Sequence, residues 1–261
     1  MPNTLTQNAQ IIDEAVADIK DEIALKGVTV PDPCPITTIP SLIESISGGG
    51  SQDTQQLINL IESDSNFSLS IPSGTTSIGV YALFNSKVAS VIIPSSVTVI
   101  GNYAFQNSSL TSITIPSTVL SLGVQAFRQC YSLETVSIAG TIETIPNSCF
   151  TGCNRITSLT IGNGIKYIEG SAFSGCERLP SVKLPSTILT IGQTAFHYCR
   201  HLALVDLTDF TDPTAIPSLE SINAFQNISA NCVFLVANSE MQAAFSSATN
   251  WSTFTFTIQG A

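Results

Sequence analysis

Residues 93–114 read IPSSVTVIGNYAFQNSSLTSIT, and the same phrase returns with small changes along most of the chain. An Ile or Leu closing a short apolar run falls at 71, 93, 115, 138, 161, 184 and 207, in steps of 22 or 23. The Phe of an Ala-Phe pair keeps phase with it at Phe105, Phe127, Phe150, Phe173, Phe196 and Phe225, with Leu83 in the first copy. The last step is longer, which places an insertion around Thr208–Pro217. A fixed period of 20–29 residues is the mark of a repeat architecture in which each unit stacks on the next.

Each copy reads apolar-x-x-apolar-x-apolar, a turn, a second apolar pair, then Ala-Phe, as in Leu133, Val136, Ile138, Ile142, Ile145, Cys149 and Phe150. The period-two part is a short strand. Prolines 72, 94, 116 and 185 follow it and end it, because proline cannot donate to a ladder. One copy cannot bury its apolar side alone, but stacked copies bury a continuous core. The reading is a repeat solenoid, mainly β with short strands and turns, over residues 67–236. A helical module and Pro/Gly linker (1–50) and a helical cap (51–66) precede it, and a C-terminal cap (237–261) closes it. Phe173→Ala is expected to disturb the core at mid-stack.

The segments LPSTILTIGQTAFHYCRHL from Leu184 and IPSTVLSLGVQAFRQCYSL from Ile115 resemble the BspA-like, or Treponema-type, leucine-rich repeats. The resemblance covers about residues 67–236, because Ile-Gly, Ala-Phe and Cys recur together at fixed offsets. The tail VFLVANSEMQAAFSSATNWSTFTFTI also resembles that family's ending, where a strand and a short helix close the stack. Departures from the pattern are read as Leu83 for Phe, Asn107 for Cys and Cys149 for Ala.

Composition agrees with such a core. The chain has 261 residues, only 11% charged and 43% apolar, with mean hydropathy +0.31. No stretch approaches the ~18 apolar residues of a membrane span, so membrane insertion is not expected. A net charge of −10 with nine basic residues argues against nucleic acid. No GxSxG, HExxH, GxxxxGK[ST] or GxGxxG occurs, and the two histidines, His197 and His201, lack a nearby carboxylate partner in sequence. The protein reads as non-enzymatic, with no cofactor and no metal.

Of seven cysteines, Cys130, Cys153, Cys176 and Cys199 stand 23 residues apart in one column. A metal or redox ladder would need further ligands at tetrahedral spacing. Packing as small buried thiols explains the column without them, and all seven are expected reduced.

Between the core columns, the strand residues Ser112, Thr114, Thr135, Ser137, Ser158, Thr160, Ser181 and Lys183 are expected on the concave side. They form what is mostly a hydroxyl ladder, read either as soluble filler or as a shallow surface for a glycan or protein. Two residues past the cysteines come Ser132, Arg155, Arg178 and His201, with Arg200 adjacent. The repeat body 71–207 nets +2 while 1–66 nets −8, so this stripe is read either as solvated charge or as a contact for an acidic glycan.

Leu5, Ala9, Ile12, Val16, Ile19 and Ile23 are spaced 4, 3, 4, 3 and 4. That is an a/d seam, which could pack on its own chain or oligomerise. β-branched residues at both positions favour three strands or more, so a homotrimer is expected. The stretch DIKDEIALKGVTVPDPCPITTIPSLIESI resembles N-terminal modules of phage and prophage tail or virion proteins. That resemblance implies partners among virion or tail proteins. The opening MPNTLTQNAQIIDEAVADIK has no basic n-region and no apolar h-region, so no secretory signal is read. The expected place is a virion or phage particle, with a bacterial cell surface as the alternative. The expected role is adhesion to a surface glycan or protein; the competing role is a structural component that binds nothing.

Overall fold

The computed structural model describes residues 67–71 and 73–260. The helical modules of residues 1–66, the seam from Leu5 to Ile23, Cys34 and Pro72 lie outside the described residues.

Two families of parallel strands run along the stack. The first is β1 (Phe67–Ser70), β3 (Val88–Ile92), β5 (Ser112–Ile115), β7 (Thr135–Ile138), β9 (Ser158–Ile161), β11 (Ser181–Lys183), β13 (Leu204–Asp206), β15 (Val233–Val236) and β16 (Phe256–Ile258). Consecutive members pair or lie side by side. The second is a ladder of two-residue strands: β2 (Ser77–Ile78), β4 (Val99–Ile100), β6 (Ser121–Leu122), β8 (Thr144–Ile145), β10 (Tyr167–Ile168), β12 (Thr190–Ile191) and β14 (Ser218–Leu219). The sequence pattern shows one strand per repeat and a bare apolar pair; the structure turns that pair into a second ladder. The reason is register. Copies of equal length place Ile145, Ile168 and Ile191 opposite one another, and two residues then suffice for parallel pairing.

The third side of each coil is the Ala-Phe turn, which is also hydrogen-bonded along the stack. Leu83, Phe105, Phe150, Phe173 and Phe196 donate their N–H groups to the carbonyls of Ala104, Ala126, Ala172, Ala195 and Ala224 in the following turn, at 2.7–2.8 Å. The residues two before and two after the Phe adopt left-handed backbone, such as Tyr103 (φ 58°) and Asn107 (φ 62°). This orients alternate N–H groups toward the next turn, where they find carbonyl partners.

A left-handed φ costs an L side chain roughly 1–2 kcal/mol. The position two past the Phe is Gly152 and Gly175 in two turns, at φ 77° and 75°, but Gln129 in another, at φ 59°. Gln129→Gly is therefore expected to raise stability by about 0.5–1 kcal/mol, after subtracting glycine's unfolded-state entropy. Urea melts compare the two, and a loss would mean that the Gln129 side chain packs usefully.

The opposite case is Gly140. A Cβ there would overlap the Asn163 carbonyl oxygen of the neighbouring turn. The obstacle is backbone, which cannot swing aside as a side chain can. Gly140→Ala is expected to cost about 1–3 kcal/mol by overpacking, whereas Gly74→Ala, with nothing near its Cβ, should be nearly neutral in the same melt.

Phe105, Phe127, Phe150, Phe173, Phe196 and Phe225 form one stack, each ring 5.1–5.3 Å from the next and within 10° of parallel. Offset stacking at this separation is favourable beyond the area buried. All are buried, together with the inward-facing Ile, Val and Leu of both ladders.

The C-terminal end is closed by helix α1 (Ser239–Ser247), β16 and the 3₁₀ turn Trp251–Thr253. Asn238 caps α1 by accepting from the Met241 N–H. Phe225, Phe234, Phe245, Trp251, Phe254 and Phe256 pack ring to ring over the last open core face. Trp251 Nε1 donates to the Pro217 carbonyl at 2.8 Å, and Asn250 Nδ2 to that of Leu219 at 2.7 Å. These side chains cover the edge of the second ladder, which would otherwise be open to pairing. No helix among the described residues is long and apolar enough to cross a membrane.

Candidate functional site

The long sheet turns one face to the core and the other to solvent. Ile113, Val136, Val182 and Val205 point inward and are buried. Ser112, Thr114, Thr135, Ser158, Thr160, Ser181 and Lys183 are exposed, and Ser137 half-buried. Register joins them into columns: Ser112 with Thr135 and Ser158, and Thr114 with Ser137 and Thr160. The structure thus assembles the hydroxyl surface that the sequence suggests. Its ends differ in chemistry. Toward the N-terminus, Ser90 Oγ donates to Ser68 Oγ at 2.9 Å, and Ile92 lies 70% exposed beside Ser70. Toward the C-terminus, Lys183 pairs with Asp209 at 2.8 Å and Asp206 at 4.0 Å. The hydrogen bond to Asp209 holds its ammonium above the ordinary lysine range.

Arg155, Arg178, Arg200 and His201 are all exposed on the turns that lead into β9, β11 and β13. Arg155 and Arg178 stand three residues before Ser158 and Ser181, so the basic stripe runs along one margin of the hydroxyl face. The His201 ring meets the Glu177 carbonyl through Nδ1 at 2.8 Å. The Arg200 guanidinium lies over the Tyr198 ring at 5.1 Å. Tyr198 and Tyr131, both exposed, belong to the same margin and were not singled out by the sequence pattern. Nothing in a one-dimensional repeat marks them, since each occurs in one copy only.

The cysteine column contains no disulfide among the described residues. Each thiol donates to the carbonyl of the Phe one turn earlier: Cys130 to Phe105, Cys153 to Phe127, Cys176 to Phe150 and Cys199 to Phe173, at 3.0–3.4 Å. The column continues toward the N-terminus as Ser108 and Ser86, both buried. The reading of Asn107 as the substitute for cysteine is thereby corrected. Ser108 holds the position, 3.3 Å from Cys130 Sγ, while Asn107 is the exposed left-handed residue of the turn. A small buried donor is what the site requires, and serine and cysteine both supply it. Burial pushes the Cys149, Cys153 and Cys176 thiols well up, and Cys199 to about 12. Such thiols are poor nucleophiles and poor metal ligands at neutral pH. No group of three metal-binding side chains occurs among the described residues.

Stacked 22–23-residue coils, a strand ladder on one side and a phenylalanine spine define a leucine-rich-repeat solenoid. The chain belongs to the BspA-type leucine-rich-repeat family: the BspA type Leucine rich repeat region (6 copies) matches residues 62–179 and 168–259. Among solved structures it is similar to a leucine-rich repeat protein from Eubacterium ventriosum, 29% identical, with a TM-score of 0.55 over 61% of this chain. It spans 42% of the length of that protein. It is also similar in fold to the leucine-rich repeat protein of T. pallidum, at 22% identity and TM-score 0.57, over 64% of this chain and 80% of that one. No curated protein matches it.

Proposed function

We propose that this protein is a non-enzymatic adhesion or recognition protein that presents its long sheet to a glycan or protein on a cell surface. One observation carries the reading. Across β5, β7 and β9 the solvent face is a continuous field of hydroxyls in register, with β11 lying alongside. Hydroxyls at strand spacing offer many weak donors and acceptors and no large anchor, which suits a broad surface better than a small ligand.

Residues 1–50 supply the finer part. A homotrimer through Leu5, Ala9, Ile12, Val16, Ile19 and Ile23 would present three such faces and raise avidity without new contacts. The likeness of that segment to tail proteins supports attachment to a virion, where virion or tail proteins would be its partners; a bacterial cell surface is the other setting for the same face. Light scattering of the full chain is expected to give a trimer, and Val16→Asp with Ile19→Asp a monomer with the repeat body still folded.

The test of recognition is binding of the full chain to whole bacterial cells and to a glycan array. Thr114→Glu with Thr160→Glu should abolish binding and leave the thermal melt unchanged. Undiminished binding would move the contact off this face, and the absence of any binding would favour a purely structural role.

A further inference from the structure

We propose that the ridge formed by Tyr131, Arg155, Arg178, Tyr198, Arg200 and His201 is a binding site for a linear acidic polysaccharide. The inference deepens the recognition reading, on which it rests, by assigning a second contact with its own chemistry.

Cations without a carboxylate partner cluster on the ridge. Lys166 and Lys183 each carry a carboxylate partner, Glu143 at 2.5 Å and Asp209 at 2.8 Å. Arg155, Arg178 and Arg200 have none among the described residues, although the chain as a whole carries −10. Glu177 is the one carboxylate on the ridge, and its backbone carbonyl, not its side chain, meets His201; Glu134 lies near its foot. Arg155 and Arg178 occupy one position in successive turns, about 4.8 Å apart along the stack, and Arg200 stands beside the same column in the turn that follows. Like charges held that close repel one another, a cost that an anionic ligand would turn into attraction.

The ends of the ridge carry the second chemistry. Tyr131 is 51% exposed and Tyr198 41% exposed. A flat exposed ring offers a platform to the apolar face of a sugar. Tyr198 is also held in place, with the Arg200 guanidinium over one face and the His197 ring 4.1 Å away. His197 Nε2 in turn meets Asn227 Nδ2 at 3.1 Å. A cation already seated on an aromatic ring is pre-oriented, so less freedom is lost when it meets an anion. Arg155, Arg178 and Arg200, on three successive turns between two rings, fit a polymer whose acidic groups recur along an extended chain.

The experiment uses the full chain and three immobilised probes: heparin (sulfated), polygalacturonate (carboxylated) and dextran (neutral). Binding is expected to one or both acidic polymers and not to dextran, weakening steeply as salt rises from about 0.05 to 0.3 M. Arg155→Glu with Arg178→Glu should weaken it tenfold or more with an unchanged melt, and Tyr198→Ala should weaken it at constant charge. Thr114→Glu with Thr160→Glu, on the sheet face, should reduce it much less. Equal binding to dextran, or acidic binding that survives the double arginine variant, overturns the proposal. Loss of acidic-polymer binding alongside intact binding to whole cells would sink the ridge and spare the recognition reading; the converse would spare the ridge.

Discussion

Replacing Phe173 by alanine is expected to destabilise the protein by about 3–5 kcal/mol. Phe173 lies in the middle of the six-ring stack, 5.3 Å from both Phe150 and Phe196 and wholly buried. Truncation removes the burial of one ring and strips both neighbours of a stacking partner. The surrounding coil cannot collapse into the space, because its backbone is tied to the next turn through the Phe173 N–H to Ala195. A repeat stack also transmits the loss, since stability is a sum of units and nearest-neighbour interfaces. Chemical denaturation of the two proteins measures it, and a loss below ~1 kcal/mol would remove Phe173 from the energetic core.

An effect of similar size is expected from alkaline pH. Cys149, Cys153, Cys176 and Cys199 are buried with thiol pKa values raised by loss of solvation. The unfolded chain releases those protons near the ordinary thiol pKa of about 8.5, whereas the native core keeps them. The stabilisation is therefore complete below that pH and is lost as pH rises toward the folded values. Stability is therefore expected to fall between pH 7.5 and 9.5, by on the order of 1 kcal/mol for each of these thiols. Denaturant melts under reducing conditions follow the slope, and Cys176→Ala should lower it by about a quarter. A pH-independent stability over this range would mean that these thiols are ionised or solvated in the native state. Thiol titration in denaturant should find all seven cysteines free.

Much of this was legible in the sequence because a repeat protein writes its tertiary structure in one dimension. A residue at one offset stacks on the same offset one period away, so the phase of Phe105 through Phe225 already implied a spine. The hydroxyl columns followed from alternation within the strands, and the basic stripe from counting two places past each cysteine. The same counting failed at Asn107, where two neighbouring polar residues compete for one column position and only the turn geometry shows that Ser108 is the one turned inward.

The period of 22–23 residues and the apolar columns by themselves determined the coil, its core and which side chains share a face, because equal-length units can bury their apolar sides only in register. Tertiary structure alone decided whatever depends on distance between turns. That Ile145, Ile168 and Ile191 form a ladder, that column thiols donate to the carbonyls of the preceding phenylalanines, and that Gly140 has no room for a methyl group are all facts about backbones about 5 Å apart. The seating of Arg200 over Tyr198, and the lack of an ion pair to Arg155 or Arg178 among the described residues, were settled in the same way. Charge and ring contacts form between side chains that the fold brings together, and no spacing along the chain records which of them meet.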